Sequence, residues 1–327
     1  MTTRTESGLR PGKLLAAAAG LFMALAACGS ASAEYPERDI TFIIPYAAGG
    51  GSDQQARRLQ VGLEKALGVR MQIVYKDGGG GAAGFLELHS SQPDGYTIAN
   101  VVVPNIIVTS KGDDVGYKPE EFAYIGMTER APGALVVSAN GKFGSLEDLV
   151  SYAKENPGKL TIAGSGSAGQ ANFAELLHAL DIKASYVPVS GGVGATIPFL
   201  QGGHVDAAVF SSSHAATHAG TIKALGIAGT EPSPALPGVP TLDSLGYKGF
   251  EMATTWGVMA PPGTPDEIVN KLSEALREAV SDPAVQKAQV DGGLSPMSQT
   301  PQEAEDYVQD AAKGVARNEE LVKALGL

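Results

Sequence analysis

The sequence predicts an α/β protein of two domains, each a mostly parallel sheet flanked by helices. Three observations carry this. Short β-rich runs alternate with helical stretches from residue 40, the alternation restarts near residue 134, and glycine-rich turns join strand ends to helix starts. In the first unit, 40–45 reads as a strand. Residues 54–67 read as a helix with Leu59, Leu63, Ala66 and Leu67 on one face. A strand at 71–75, a helix at 82–91 and a strand at 97–103 follow. In the second unit, 134–138 is a strand and 145–156 a helix, with Ser145 as cap and Asp148 three residues on. Strands at 160–163, 185–189, 207–210 and 222–228 alternate with helices at 171–180 and 194–201. Loops rich in proline and glycine occupy 230–241, and the end is helical at 265–281, 283–290 and 301–325.

These terminal helices have no strands of their own to cover. They are expected to pack back on the first unit, so the chain crosses between units near 131–134 and near 253–257. The expected division is a leader at 1–33, domain 1 at 34–132 with 255–327, and domain 2 at 133–254. A cleft between two such domains is the default place for a ligand.

The leader reads as an export signal. Arg4, Arg10 and Lys13 precede an apolar run from 14 to 27, too short for a membrane span and suited to a secretory signal. Two exits stay open. Leu25-Ala26-Ala27-Cys28 resembles the lipobox of bacterial lipoproteins, which implies lipidation at Cys28. Ala31-Ser32-Ala33 is an ordinary cleavage site before Glu34. Either way the mature chain is expected outside the cytoplasm, in the periplasm, with a lipid at Cys28 as its one route to the membrane. Cys28 is the single cysteine of 327 residues, so burial rather than disulfides must hold the fold. The net charge of −11 without basic runs argues against nucleic acid as a partner. An anionic ligand would then need local compensation.

Three glycine-rich loops each follow a strand and open a helix: 45–53 (Pro-Tyr-Ala-Ala-Gly-Gly-Gly-Ser-Asp), 77–82 and 164–170 (Gly-Ser-Gly-Ser-Ala-Gly-Gln). Glycine lets backbone amides approach a ligand, and a helix start concentrates about half a positive charge. The first and third loops, in separate units, are the candidate anion sites. The third also fits G-x-G-x-x-G, but no acid stands near the end of the next strand to hold a ribose. Ser165-x-Ser167-x-Gly169 lacks the first glycine of a nucleophile elbow, and no histidine–acid pair accompanies it. His214 and His218 are four apart but have no third ligand nearby. His89, His178 and His204 read as structural, without acidic companions. Trp256 reads as core or hinge packing. No catalytic residue, metal or cofactor is expected, and the chain is not read as an enzyme.

The same stretches resemble the substrate-binding proteins of tripartite tricarboxylate transporters, the Bug or TctC family. The resemblance rests on 35–53, on Pro93-Asp94-Gly95-Tyr96-Thr97, on 152–160, on Leu236-Pro237-Gly238-Val239-Pro240-Thr241 and on Ala260-Pro261-Pro262-Gly263-Thr264-Pro265. It implies a two-domain periplasmic solute-binding (Venus-flytrap) fold that closes on a small carboxylate. It also implies delivery, by a monomer, to a membrane permease with one large and one small subunit. A sensor role, handing the signal to a two-component kinase, is the alternative. By the resemblance, Tyr46, Ala48, Gly49, Gly50, Gly51, Ser52 and Asp53 hold one carboxylate, and Ser165, Gly166, Ser167 and Gln170 do the equivalent from domain 2. Where the family often has Tyr-Lys-Gly-Gly, this chain has Val189-Ser190-Gly191-Gly192. Where it often has an acid or amide after a phenylalanine, this chain has Ser211. Ser190, Gly191 and Ser211 therefore complete the candidate set with neutral groups. Asp53 is the one acid in these loops and stands at a helix start, where amides should occupy it. The ligand is accordingly expected to carry carboxylates but no amine. Four or five charge-assisted hydrogen bonds at about 1.5–3 kcal/mol each, against an association cost of at least about 4 kcal/mol, give roughly micromolar affinity.

Overall fold

The computed structural model describes residues 1–3, 35–112, 115–164, 166–189 and 192–327, the side chains of 166–168 and 192–193 excepted. The expected leader with its Leu-Ala-Ala-Cys motif lies outside the described residues. Arg38–Leu327 folds as one compact unit, and Met1–Glu37 is assigned to another.

Strands β1 (Ile40–Ile44), β2 (Met71–Tyr75) and β3 (Thr97–Val103) are parallel, in the order β2-β1-β3. Helices α1 (Gly51–Leu67), α2 (Ala82–His89) and α3 (Asn105–Ser110) follow them in turn. Helix α1 buries Ala56, Leu59, Leu63 and Leu67 at helical spacing. It stops at Gly68, whose φ of 72° suits the left-handed C-cap. Strand β4 (Ala123–Ser138) comes next. After it run α4 (Leu146–Glu155), β5 (Leu160–Gly164), α5 (Gly166–Leu180), β6 (Ala184–Pro188), α6 (Gly192–Gln201), β7 (Ala207–Ser211), α7 (Ser212–Thr217) and β8 (Ile222–Ile227). Ser145 caps α4 by accepting from the Asp148 amide at 3.1 Å. Asp148 itself turns to the Gly144 amide, so the capping box is not reciprocal. Strand β9 (Ala253–Ala260), α8 (Asp266–Ser281), α9 (Pro283–Asp291), β10 (Ser295–Pro296) and α10 (Pro301–Leu325) complete the chain.

The strands form one curled sheet in the order β2-β1-β3-β9-β4-β7-β5-β6, with β8 and β10 also on β4. Pairings at the flanks are parallel, β1 with β2 and β3, and β5 with β6 and β7. Antiparallel pairing concentrates on β4 and β9. Strand β4 spans both halves. Residues 123–132 pair with β9, and 133–138 pair with β7 and β8. The change of partner falls at Pro132-Gly133. Proline has no N–H for a ladder and suits a point where one ladder ends. Gly133 donates to the Met252 carbonyl at 2.7 Å, and a Cβ there would stand 2.9 Å from the Met252 sulfur.

The sequence pattern predicted this strand only from 134. Thr128, Glu129, Arg130 and Pro132 interrupt its apolar run, yet the fold buries Thr128, Glu129 and Arg130. Strand β9 was expected only as a crossing. It lies between β3 and β4, and a Cβ at Gly257 would meet the Gly126 carbonyl at 2.7 Å. Separate apolar cores lie on the two halves: one includes Phe85, Val101, Ile106 and Met259, another Leu135, Leu149, Phe173 and Phe250. Helices α8 and α10 pack on β4, and α10 also packs on α5, where Arg317 and Asn318 donate to Glu175 at 2.6 and 3.0 Å.

Polar groups hold α1 to the middle of the sheet. Buried Gln55 donates to the Thr128 hydroxyl at 2.8 Å and accepts from the Asn100 amide at 2.8 Å. Gln55→Leu keeps the volume but strands the Asn100 N–H, and an unmet buried donor costs about 1–3 kcal/mol. A urea unfolding series should show that loss as a lower midpoint with an unchanged slope. An unmoved midpoint would mean that the network contributes nothing.

Candidate functional site

The first glycine loop is fixed by one carboxylate. Asp53, buried at the start of α1, accepts from the Gly49 N–H at 2.7 Å through Oδ2. Its Oδ1 accepts from Arg57 Nε and from the Tyr75 hydroxyl, each at 2.8 Å. Burial works to raise the Asp53 carboxyl, but these bonds from Gly49, Tyr75 and Arg57 outweigh it and hold the group below the usual carboxylate range. Gly49 takes a φ of 85°, which favours glycine. Gly50 precedes the helix in extended geometry and offers no side-chain cap. The first N–H groups of α1 therefore have no side-chain acceptor at the N-cap, at the positive end of the helix dipole.

Gly51 and Ser211, predicted from opposite units, line the same cavity of about 440 Å³. Trp256 forms a wall beside Gly51: a Cβ on Gly51 would stand 2.8 Å from the indole. Ser211 caps the short helix α7, and its Oγ lies 2.7 Å from His214 Nδ1 and 3.1 Å from Ser213 Oγ. Burial, with His218 nearby, lowers the His214 pKa, so the imidazole favours its neutral form. Arg58 and Glu129 also line the cavity. They form a two-pronged ion pair, with Arg58 Nε donating to Glu129 Oε2 at 3.2 Å. Burial pushes the Glu129 carboxyl up, against the pull of Arg58, and Gln289 donates to it at 3.1 Å. Among the described residues, the arginine of this cavity thus already has its counter-charge.

The other predicted residues are placed as follows. Ala48, Gly49 and Gly50 are exposed on the loop, and Ser52 is buried behind it. The Tyr46 ring packs edge-on against Phe85. Its hydroxyl is buried without a hydrogen bond of ordinary geometry, and burial raises its pKa, opposed by the Asn105 side chain. Gly166 and Ser167 begin the backbone of α5, and Gln170 is half-buried. Ser165, Ser190 and Gly191 lie outside the described residues. Two glycines of the third loop have a packing reason: a Cβ on Gly169 would come within 2.7 Å of the Gly164 backbone and 2.8 Å of the Tyr186 hydroxyl. In the second loop, Gly78 to Gly81 all have positive φ, a backbone path open to glycine alone.

Arg58, Glu129, His214, Thr254 and Trp256 escaped the prediction as cavity residues. Arg58 stands seven residues after Gly51, two turns along the same helix face, a spacing that marks it. Thr254 and Trp256 share one face of β9 by strand alternation, a signal lost with the strand itself. His89, expected to lack an acidic companion, pairs with Glu121 at 2.8 Å. Among the described residues no cluster of metal-ligating side chains occurs and no helix is long and apolar enough to cross a membrane.

A family model described as the tripartite tricarboxylate transporter family receptor, TctC, matches residues 55–327. The chain belongs to this family. Its members are periplasmic solute-binding proteins rather than enzymes, and the α/β architecture is that of the two-domain binding proteins. Among relatives, Protein BugT of Bordetella pertussis is 31% identical over 305 residues, covering 90% of this receptor and 93% of BugT. Among solved structures, MatC of Rhodopseudomonas palustris with bound malate is 27% identical, covers 88% of this receptor and 100% of that chain, and superposes with a TM-score of 0.65. Rpa4515 of the same organism, with adipate, is 26% identical over 90% of this receptor and 99% of that chain, with a TM-score of 0.70.

The Asp53 clamp has a pH signature. A depressed carboxyl contributes fully above its unfolded value, near about 3.9, and loses that contribution as pH falls through the lower folded value. Loop order, read as protection of the Gly49 amide from hydrogen exchange, should therefore fail in acid below about pH 4. In Asp53→Asn protection should be low at every pH. Equal protection in the variant and the wild type at neutral pH would show that the carboxylate does not hold the loop.

Proposed function

We propose that this receptor captures a small, amine-free carboxylate in the cavity shared by Gly51 and Ser211 and delivers it to a membrane permease with one large and one small subunit. The uncapped start of α1 at Gly51 carries the reading. Its amides offer an anion directional donors at a helix terminus, and Ser211 lines the same space. The residues Tyr46, Ala48–Asp53, Ser165–Ser167, Gln170, Ser190, Gly191 and Ser211 form the proposed ligand set. Malate in MatC and adipate in Rpa4515 support a carboxylate as the class.

The charges argue against an amine. Glu129, the acid lining this cavity, is matched by Arg58 and Gln289. Asp53 is matched by Gly49, Arg57 and Tyr75. A ligand ammonium would be left without a free carboxylate among the described residues lining this cavity, and a buried unpaired charge is very costly. The cavity walls include Phe210, Leu294 and Trp256, which suit the apolar body of a dicarboxylate, a hydroxy acid or an aromatic acid.

The receptor works as a monomer outside the cytoplasm, released after Ala33 or held by a lipid on Cys28. Two lobes, 34–132 with 255–327 and 133–254, close on the ligand about Pro132-Gly133 of β4. The N-terminal mass of the native protein separates the two exits: a lipidated Cys28 or a start at Glu34 supports export, and an intact Met1 on a cytoplasmic protein opposes it.

Calorimetric titration tests the ligand class. At least one of succinate, malate, citrate, adipate and benzoate should bind with roughly micromolar affinity, about 8 kcal/mol, and each of aspartate and glutamate more weakly. Gly51→Leu, which drives a side chain into Trp256, should fold and lose that binding. Tighter binding of an amino acid than of every amine-free acid, or normal binding by Gly51→Leu, would overturn the proposal.

A further inference from the structure

A second cavity, of about 670 Å³, opens between β4, α5 and α10. Strand alternation separates it from the first. Glu129 turns to α1 and Arg58, and Arg130, the next residue of β4, turns to the other face and lines this second space. Arg130 is 7% exposed. Its guanidinium is only partly used. One Nη2–H donates to Glu251 Oε1 at 2.7 Å, while the buried Nε–H meets no acceptor among the described residues.

A guanidinium offers Nε–H and Nη–H as a parallel pair whose spacing matches the two oxygens of a carboxylate. Glu251 uses one of the two, and its side chain is 62% exposed, so it can swing into water at little cost in solvation. The remaining charges of the cavity are matched. Glu175 holds Arg317 and Asn318, and Lys313 pairs with Asp310 at 2.8 Å. With Glu251 turned out, one positive charge is left, on Arg130. A burial of this depth makes an unmet donor unfavourable, and an incoming carboxylate would satisfy both N–H groups at once.

We infer that the Arg130 cavity is a second carboxylate site, in which a small carboxylate docks on Nε and Nη2 and replaces Glu251. It is separate from the Gly51 cavity, although Met252 borders both. The chain would then take up two anions by different chemistry: backbone amides and hydroxyls at Gly51, a buried guanidinium at Arg130. Glu251 acts as the built-in competitor, so only a ligand at sufficient concentration occupies the second site.

Calorimetry with adipate at low salt tests this, on the wild type and three variants. The wild type should show a weaker binding phase attributable to Arg130, beside any binding at Gly51. Glu251→Gln removes the competing charge with little change of shape and should strengthen that phase at least about ten-fold. Arg130→Met should abolish it and leave binding at Gly51 intact. Gly51→Leu should do the reverse. A single phase in both the wild type and Glu251→Gln that is lost in Gly51→Leu would overturn the inference, as would a weak phase that survives Arg130→Met. If Arg130→Met fails to fold, judged by near-UV circular dichroism, the response of Glu251→Gln decides. Loss of the Gly51 phase alone in the wild type would count against the proposed function and leave the Arg130 site standing.

Discussion

Everything in this molecule hangs on β4. A strand of 16 residues, buried nearly throughout, must find hydrogen-bond partners along its whole length, because an unpaired backbone group away from water is costly. No single neighbour is long enough. Strand β9 serves the first ten residues and β7 and β8 the last six, so β4 belongs to both halves of the sheet. The carboxyl ends of β1 and β7 then approach the same region from opposite halves. That is how a glycine loop near residue 50 and a serine near residue 211 come to line one cavity.

The second constraint is electrostatic. The chain is strongly acidic, yet the charged groups around the first cavity are matched pairwise: Asp53 with Arg57 and Arg58 with Glu129. An anion entering there would meet no unpaired acid and no unpaired arginine among the described residues, but amides, hydroxyls, the His214 imidazole and apolar walls. Such a site discriminates by geometry and by the cost of stranding a charge, not by net attraction. Asp53, matched in this way, has a structural task. It fixes the loop through the Gly49 amide, and it would serve poorly as a partner for a ligand ammonium.

Most of the architecture was legible because periodicity carries it. The apolar run of 40–44, the helical stripe of Leu59, Leu63 and Leu67, and the Ser145 cap each specify their element locally. The misses share one cause. The first eleven residues of β4 and all of β9 contain Gly126, Glu129, Arg130, Pro132, Thr254 and Gly257, which read as loop in a window but are held by long-range pairing. The site followed the same pattern. Loop glycines announce themselves by composition. Trp256 reaches the cavity only because β9 pairs with β3 and β4, and the sequence shows no local sign of it, whereas the two-turn spacing of Arg58 from Gly51 was there to be read. Histidine partners were equally opaque: Glu121, 32 residues away from His89, becomes its neighbour only in the fold.

A crystal structure of the processed protein with malate or adipate addresses the central claim most directly. The account predicts a ligand carboxylate within hydrogen-bond distance of the amides at Gly51–Asp53, with the Ser211 side facing the same ligand and Arg58 still paired to Glu129. A ligand bound away from the α1 terminus, or held by Arg58 with Glu129 displaced, would contradict it.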